Sequence, residues 1–146
     1  METAMSDAIK LHYEISGDDF SNAGEASTAT KTVLKKLGFS SEIIRKVAIA
    51  MYEGEINMVI HGDGGVAEVL ITSEEIRIIL TDHGPGIPDL ELAMQEGYST
   101  ASENARELGF GAGMGLPNIK KYTDELVVES VVGKGTTVTM SVLIKK

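Results

Sequence analysis

The run Ile76-Arg77-Ile78-Ile79-Leu80 reads as a buried strand, and the segment after it constrains the chain more than any other. Thr81-Asp82-His83-Gly84-Pro85-Gly86-Ile87-Pro88 ends that strand on an aspartate and then turns sharply. Glycine adopts positive φ without steric cost and proline fixes φ at about −65°, so two glycines around a proline impose a tight loop. The product is a carboxylate on a rigid turn, beside backbone with no side chains in the way. It is a seat for a flat ligand with an exposed amine. A strand-ending aspartate before a Pro-Gly turn is also common where nothing binds. Two further stretches separate the alternatives.

The chain has 146 residues, enough for one domain with a real core, and it is read as a single domain over 1–146 with residues 1–7 expected to be disordered. The start is acidic and lacks the basic and apolar parts of a signal peptide, and no apolar run approaches the roughly 20 residues of a membrane span. Cysteine is absent, which excludes disulfides and thiolate zinc sites and agrees with a cytoplasmic location. Net charge is −9, the wrong sign for a protein that holds nucleic acid by neutralising phosphates. A polyphosphate ligand would need local donors that overcome this field. The expectation is therefore no nucleic acid and no membrane among the partners.

Ile9 to Ile15 alternates apolar and polar residues as a half-buried strand does, with His12 on the polar phase. Asp18-Asp19 and Ser21-Asn22 are N-cap candidates for a helix that stops at Gly38. A second helix is predicted from Ser40-Ser41-Glu42 to about His61-Gly62, with Ile43, Ile44, Val47, Ala50 and Met51 at helical spacing. Val66 to Thr72 and Ile76 to Leu80 form a hairpin. A short helix follows over Asp89 to Glu96. A glycine-rich irregular stretch then runs to Gly115, and another helix runs from Leu116-Pro117-Asn118 to about Thr123-Asp124. Leu126 to Val132 and Thr136 to Ile144 are the last two strands, around Gly133-Lys134-Gly135. The sum is an α+β fold: a two-layer sandwich with a mixed, mostly antiparallel sheet and helices on one face.

Glu53 and Asn57 stand four residues apart on the otherwise apolar second helix, so they share a face. A carboxylate and an amide so placed suit a base for a hydroxyl and an oxygen ligand for Mg²⁺. Glu55 points elsewhere. A polar pair on a solvated edge would give the same spacing. The third stretch is Gly109-Phe110-Gly111-Ala112-Gly113-Met114-Gly115-Leu116 ahead of a helix. Its backbone N–H groups can crowd around an anion, and the helix N-terminus adds partial positive charge; a plain surface loop is the alternative. Walker and Rossmann patterns fail. Gly133-Lys134 is followed by Gly135, and the Gly109–Gly115 run has glycine at every second position and no strand before it.

Glu53-x-x-x-Asn57, Asp82-x-Gly84-x-Gly86, Gly113-x-Gly115 and Gly135-Thr136, in this order, resemble the N, G1 and G2 boxes and final Gly-Thr of the GHKL (Bergerat-fold, histidine kinase-like) ATPases. The likeness spans nearly the whole chain. Within that superfamily the chain is most similar to the small anti-sigma-factor-type serine/threonine switch kinases. Asp82 to Asp89, Ala93 to Thr100 and Gly115-Leu116-Pro117 carry that second resemblance.

The resemblance implies a Mg²⁺- and ATP-dependent kinase. Glu53 would be the general base, and Asn57 would ligate Mg²⁺ bridging the phosphates. Asp82 would accept from the adenine amine, supported through a water by Thr136. Gly84, Gly86 and Ile87 would lie against the base. Residues from about Gly97 to Gly113, Gly111 among them, would form the ATP lid, with Gly113 and Gly115 against the phosphates and Met114 and Leu116 also among the nucleotide-binding residues. The implied substrate is a serine or threonine of a STAS-domain antagonist protein. A sigma factor, a PP2C-type phosphatase and a second copy of the chain are further implied partners. The alternative from a different class is a nucleotide-gated anti-sigma factor that works by sequestration.

Overall fold

A computed structural model describes residues 8–17, 23–61, 64–84 and 115–144. In chain order the elements are β1 (Ile9–Ser16), α1 (Glu25–Lys36), α2 (Ser41–His61), β2 (Gly64–Ile71), β3 (Glu75–Asp82), α3 (Gly115–Tyr122), β4 (Glu125–Val131) and β5 (Gly135–Leu143). The strands form one five-stranded sheet in the order β1-β2-β3-β5-β4, and every pairing among them is antiparallel. This is the expected α+β sandwich, and the five expected strands all form. The expected helix over 89–96, residues 1–7 and the N-cap candidates at 18–22 lie outside the described residues.

The two sheet faces follow from the period-2 pattern. Val69 pairs Ile78, which pairs Met140, which pairs Leu126, so one row crosses four strands on the helix-covered face. Ala67 and Leu80, then Ile71, Ile76 and Val142, continue that face, all at most 3% exposed. The other face carries Glu68, Ile79, Thr139 and Val127 in register.

Helix α2 supplies the opposing layer. Ile44, Val47, Ala50, Met51, Met58 and Val59 are buried along it. It can sink this far because of Gly54. A Cβ there would collide with Leu80 Cδ1 and lie 3.5 Å from Met140 Cε and 3.7 Å from Ile119 Cδ1. A mid-helix glycine costs about 1 kcal/mol against alanine; here the close approach of helix to sheet explains it.

Helix α1 has an unforeseen cap. Its N-cap residue is Gly24, at φ 95°, which has no side chain to offer. Glu55 of α2 performs the task instead and is 1% exposed. Its Oε2 accepts from the amides of Gly24 (2.9 Å) and Ala26 (3.1 Å), and its Oε1 accepts from the amide of Ser27 (3.0 Å). A carboxylate at a helix N-terminus also meets the positive end of the helix dipole. The structure thus assigns the cap to a residue 31 positions from Gly24. Glu55→Ala would leave three buried N–H groups without an acceptor. A loss of about 3 kcal/mol in chemical denaturation is expected, with Glu55→Gln recovering part of it.

Candidate functional site

Asp82 is the last residue of β3 and is half-buried. Its Oδ1 accepts from the Gly84 amide at 3.0 Å, closing a turn on its own chain. The same oxygen accepts from the Thr136 amide at 3.1 Å, across 54 positions of sequence. One carboxylate oxygen therefore fixes the rotamer by two backbone donors from different elements. Gly135 makes the second bond reachable. It sits at φ 131°, and a Cβ on it would run into the Asp82 carbonyl oxygen and lie 3.1 Å from His83 Cα. Only a residue without a side chain lets the start of β5 press against the end of β3 in this way. Thr136 is 7% exposed, and its hydroxyl lies 3.0 Å from that of Ser130 on β4. The resemblance implied support of Asp82 by Thr136 through a water; the contact seen is a direct one from the backbone amide.

Glu53 and Asn57 sit on one face of α2, both half-buried. Burial raises the Glu53 carboxyl above its ordinary value, and a hydrogen bond with the Asn118 side chain pulls it partly back down. Asn118 lies in α3, which packs on α2. Glu53 meets Asn118, and Arg45 lies over the Tyr122 ring, so the two helices run antiparallel. Leu116, in the first turn of α3, is buried and anchors that helix in the core.

Two groups of expected site residues are thus placed. Asp82, Gly84 and Thr136 meet at the β3–β5 end, and Glu53 and Asn57 share a helix face next to α3, which opens at Gly115. Gly86, Ile87, Gly97, Gly111, Gly113 and Met114 lie outside the described residues. Asn118 and Ser130 were not foreseen. Asn118 follows Gly-Leu-Pro and looks like ordinary helix-start chemistry. Ser130 stands on the alternation phase of a half-buried strand, and only the register with Thr136 distinguishes it. Among the described residues, no group of three or more His, Cys, Asp or Glu could hold a metal ion, and no helix is long and apolar enough to cross a membrane.

The chain is similar to known proteins. Residues 18–142 match the family described as the histidine kinase-like ATPase domain. The chain is 33% identical over 112 residues to the serine/threonine-protein kinase RsbT of Bacillus subtilis, covering 74% of this chain and 78% of that one. It is 34% identical over 125 residues to an anti-sigma F factor of Thermoanaerobacter, covering 82% and 84%. Among solved structures, it is similar to the RsbU and RsbW domains of a Mycobacterium tuberculosis protein, at TM-score 0.59 and 20% identity, covering 94% of this chain and a third of that one (33%). A mycobacterial sensor histidine kinase, MprB, matches at TM-score 0.51 and 16% identity, over 92% and 97%. These two structural likenesses concern the fold.

Proposed function

The chain belongs to the family of histidine kinase-like ATPase domains, and from that premise we propose that it is a partner-switching serine/threonine kinase that phosphorylates a STAS-domain antagonist with Mg-ATP in the cytoplasm. The observation that carries the reading is the half-buried Glu53 carboxylate, held by Asn118 on the same helix face as Asn57. Phosphoryl transfer needs positioning and charge neutralisation more than covalent chemistry, so few side chains suffice. Asp82 accepts from the adenine amine, its orientation set by the Gly84 and Thr136 amides. Gly84 and Gly86 leave room for the base. Glu53 takes the proton of the substrate hydroxyl as that oxygen bonds to the γ-phosphorus and the β–γ bridging bond breaks, releasing ADP. The amide oxygen of Asn57 is a donor of the kind Mg²⁺ prefers, and the ion would neutralise phosphate charge there. The lid stretch from about Gly97 to Gly113 would cover the phosphates.

The 34% identity to an anti-sigma F factor favours a second reading, in which nucleotide gates sequestration of a partner such as a sigma factor. Incubating the purified chain with a STAS-domain antagonist from the same genome and γ-labelled ATP separates the two. Label on a serine or threonine of the antagonist supports the kinase. A stable complex without transfer supports sequestration.

Asn118 gives this reading a pH signature. Burial raises Glu53, so the base form appears at higher pH than in a free glutamate, and the acid limb of the rate profile should be displaced upward with it. Asn118 lowers the same group. Asn118→Ala should therefore move the acid limb of kcat to higher pH, and the measured profile checks the direction. The stability sign is opposite in sense. A carboxyl raised on folding contributes stability below its unfolded value, and that contribution fades as pH rises through the folded one.

A further inference from the structure

On the helix-covered face the rows of the sheet are apolar until the last one. Val69, Ile78, Met140 and Leu126 form one row, and Ala67, Leu80, Val138 and Val128 form the next on that face. The row after it holds Gly65, Asp82, Thr136 and Ser130. Asp82 and Thr136 meet there one step past the last β3–β5 pair, Thr81 with Thr137. Asp82 has the base to hold, and the Thr136 main chain orients it. The Thr136 hydroxyl takes no part in that bond, and the kinase reading gives Ser130 no task at all.

The two hydroxyls of this row have a direction. Their oxygens are 3.0 Å apart, so by distance either could donate. The Ser130 hydroxyl also donates to the Gly135 carbonyl oxygen at 3.4 Å, and a carbonyl only accepts. A serine hydroxyl has one proton. With that proton on Gly135, the Ser130 oxygen accepts from Thr136, and both hydroxyl protons are used. With it on Thr136 instead, the Thr136 proton has no acceptor among the described residues, in a side chain only 7% exposed. A buried donor left unmade is costly, so the chain of bonds runs from Thr136 to Ser130 to Gly135. What remains on Thr136 Oγ1 is lone pairs. Beside the Asp82 carboxylate, the side chains at this end of the row then offer acceptors only.

We propose that Ser130 is a positioning residue for the nucleotide base: it takes the Thr136 hydroxyl proton, keeps the Thr136 oxygen an acceptor, and so favours a 6-amino purine over a 6-oxo purine. The proposal rests on the reading that Asp82 accepts from the base. A 6-oxo purine brings an acceptor to a pair of acceptors, and none of them is satisfied once water is excluded. Without Ser130 the Thr136 hydroxyl is free to turn its proton outward, which supplies the donor that an oxo group needs. Ser130 is half-buried on edge strand β4, where loss of one hydroxyl leaves the β4–β5 ladder in place.

The test uses the full chain and compares Mg-ATP with Mg-ITP, whose bases differ at C6, amine against oxo. In calorimetric titrations the ATP-over-ITP preference should fall by about tenfold in Ser130→Ala, the scale of one hydrogen bond, with most of the change in ITP affinity. Ser130→Thr restores a hydroxyl and should keep the parent preference. In a Thr136→Val background, Ser130→Ala should change nothing further, because the group through which Ser130 acts is gone. Proton NMR of the nucleotide-free chain should show a slowly exchanging Thr136 hydroxyl that is lost in Ser130→Ala. The proposal is overturned if Ser130→Ala keeps the parent preference, or if it weakens ATP and ITP alike, as a loosened sheet end would. A fall of the same size in the Thr136→Val background also overturns it, and so does fast exchange of the hydroxyl in the parent. Any of these results in a chain that binds Mg-ATP leaves the kinase reading intact. A parent chain that binds neither nucleotide overturns the kinase reading and this assignment together.

Discussion

Glu53→Gln is expected to retain Mg-ATP binding and lose phosphate transfer to the antagonist by about 10²–10⁴-fold, the usual contribution of a positioned base. The substitution keeps size and hydrogen-bonding reach, so the Asn118 contact can be re-formed with the amide turned. What disappears is the ability to take a proton. The wild-type carboxyl is half-buried and raised by that burial, which makes it a stronger proton acceptor than a free glutamate. Removing an ionisable group from a desolvated position should also leave stability close to the parent or slightly above it. The decisive measurement pairs calorimetric Mg-ATP affinity with single-turnover transfer. Unchanged affinity with lost transfer assigns the base. Full transfer in the variant removes Glu53 from that role and shifts weight to the sequestration reading.

The sequence revealed the parts of this molecule that depend on short-range physics. Period-2 alternation placed β1, a strongly apolar run placed β3, and the segments read as the other three strands form as well. Helical spacing placed α2, and glycine and proline marked where elements end. The Asp82 turn was readable because Gly84 and the aspartate interact two residues apart. Pairings across the chain were not readable. Glu55 caps a helix 31 positions before it, and nothing in its local pattern distinguishes it from an exposed helical glutamate. The reading that it points away from Glu53 was right; its destination needed coordinates. Gly54 would look like a helix defect, and only its approach to Leu80, Met140 and Ile119 explains it. Asn118 and Ser130 belong to the same class, since each has meaning through a partner on another element.

Asp82→Asn should weaken adenine-nucleotide binding by about 100-fold while costing the fold little. The asymmetry follows from how the two oxygens are used. Oδ1 already accepts from two backbone amides, and an asparagine carbonyl can accept from both, so the turn and the β3–β5 junction survive. The charge is lost, which weakens both bonds somewhat, since bonds to ionised groups are about twice as strong as neutral ones. The other position becomes an NH₂. A group that accepted from the adenine amine would then point a donor at a donor, and neither could be satisfied once water is excluded. Locking Oδ1 also prevents the side chain from flipping to present its oxygen instead, because a flip would set the NH₂ against the Gly84 and Thr136 amides. Thr136 itself tests the logic from the other strand. A variant there that keeps the backbone amide, such as Thr136→Val, should spare most of the affinity, because the bond to Asp82 comes from the main chain. Equal adenine-nucleotide affinity in Asp82→Asn and the parent would mean that the carboxylate serves only to close the turn, and the base would have to be read elsewhere.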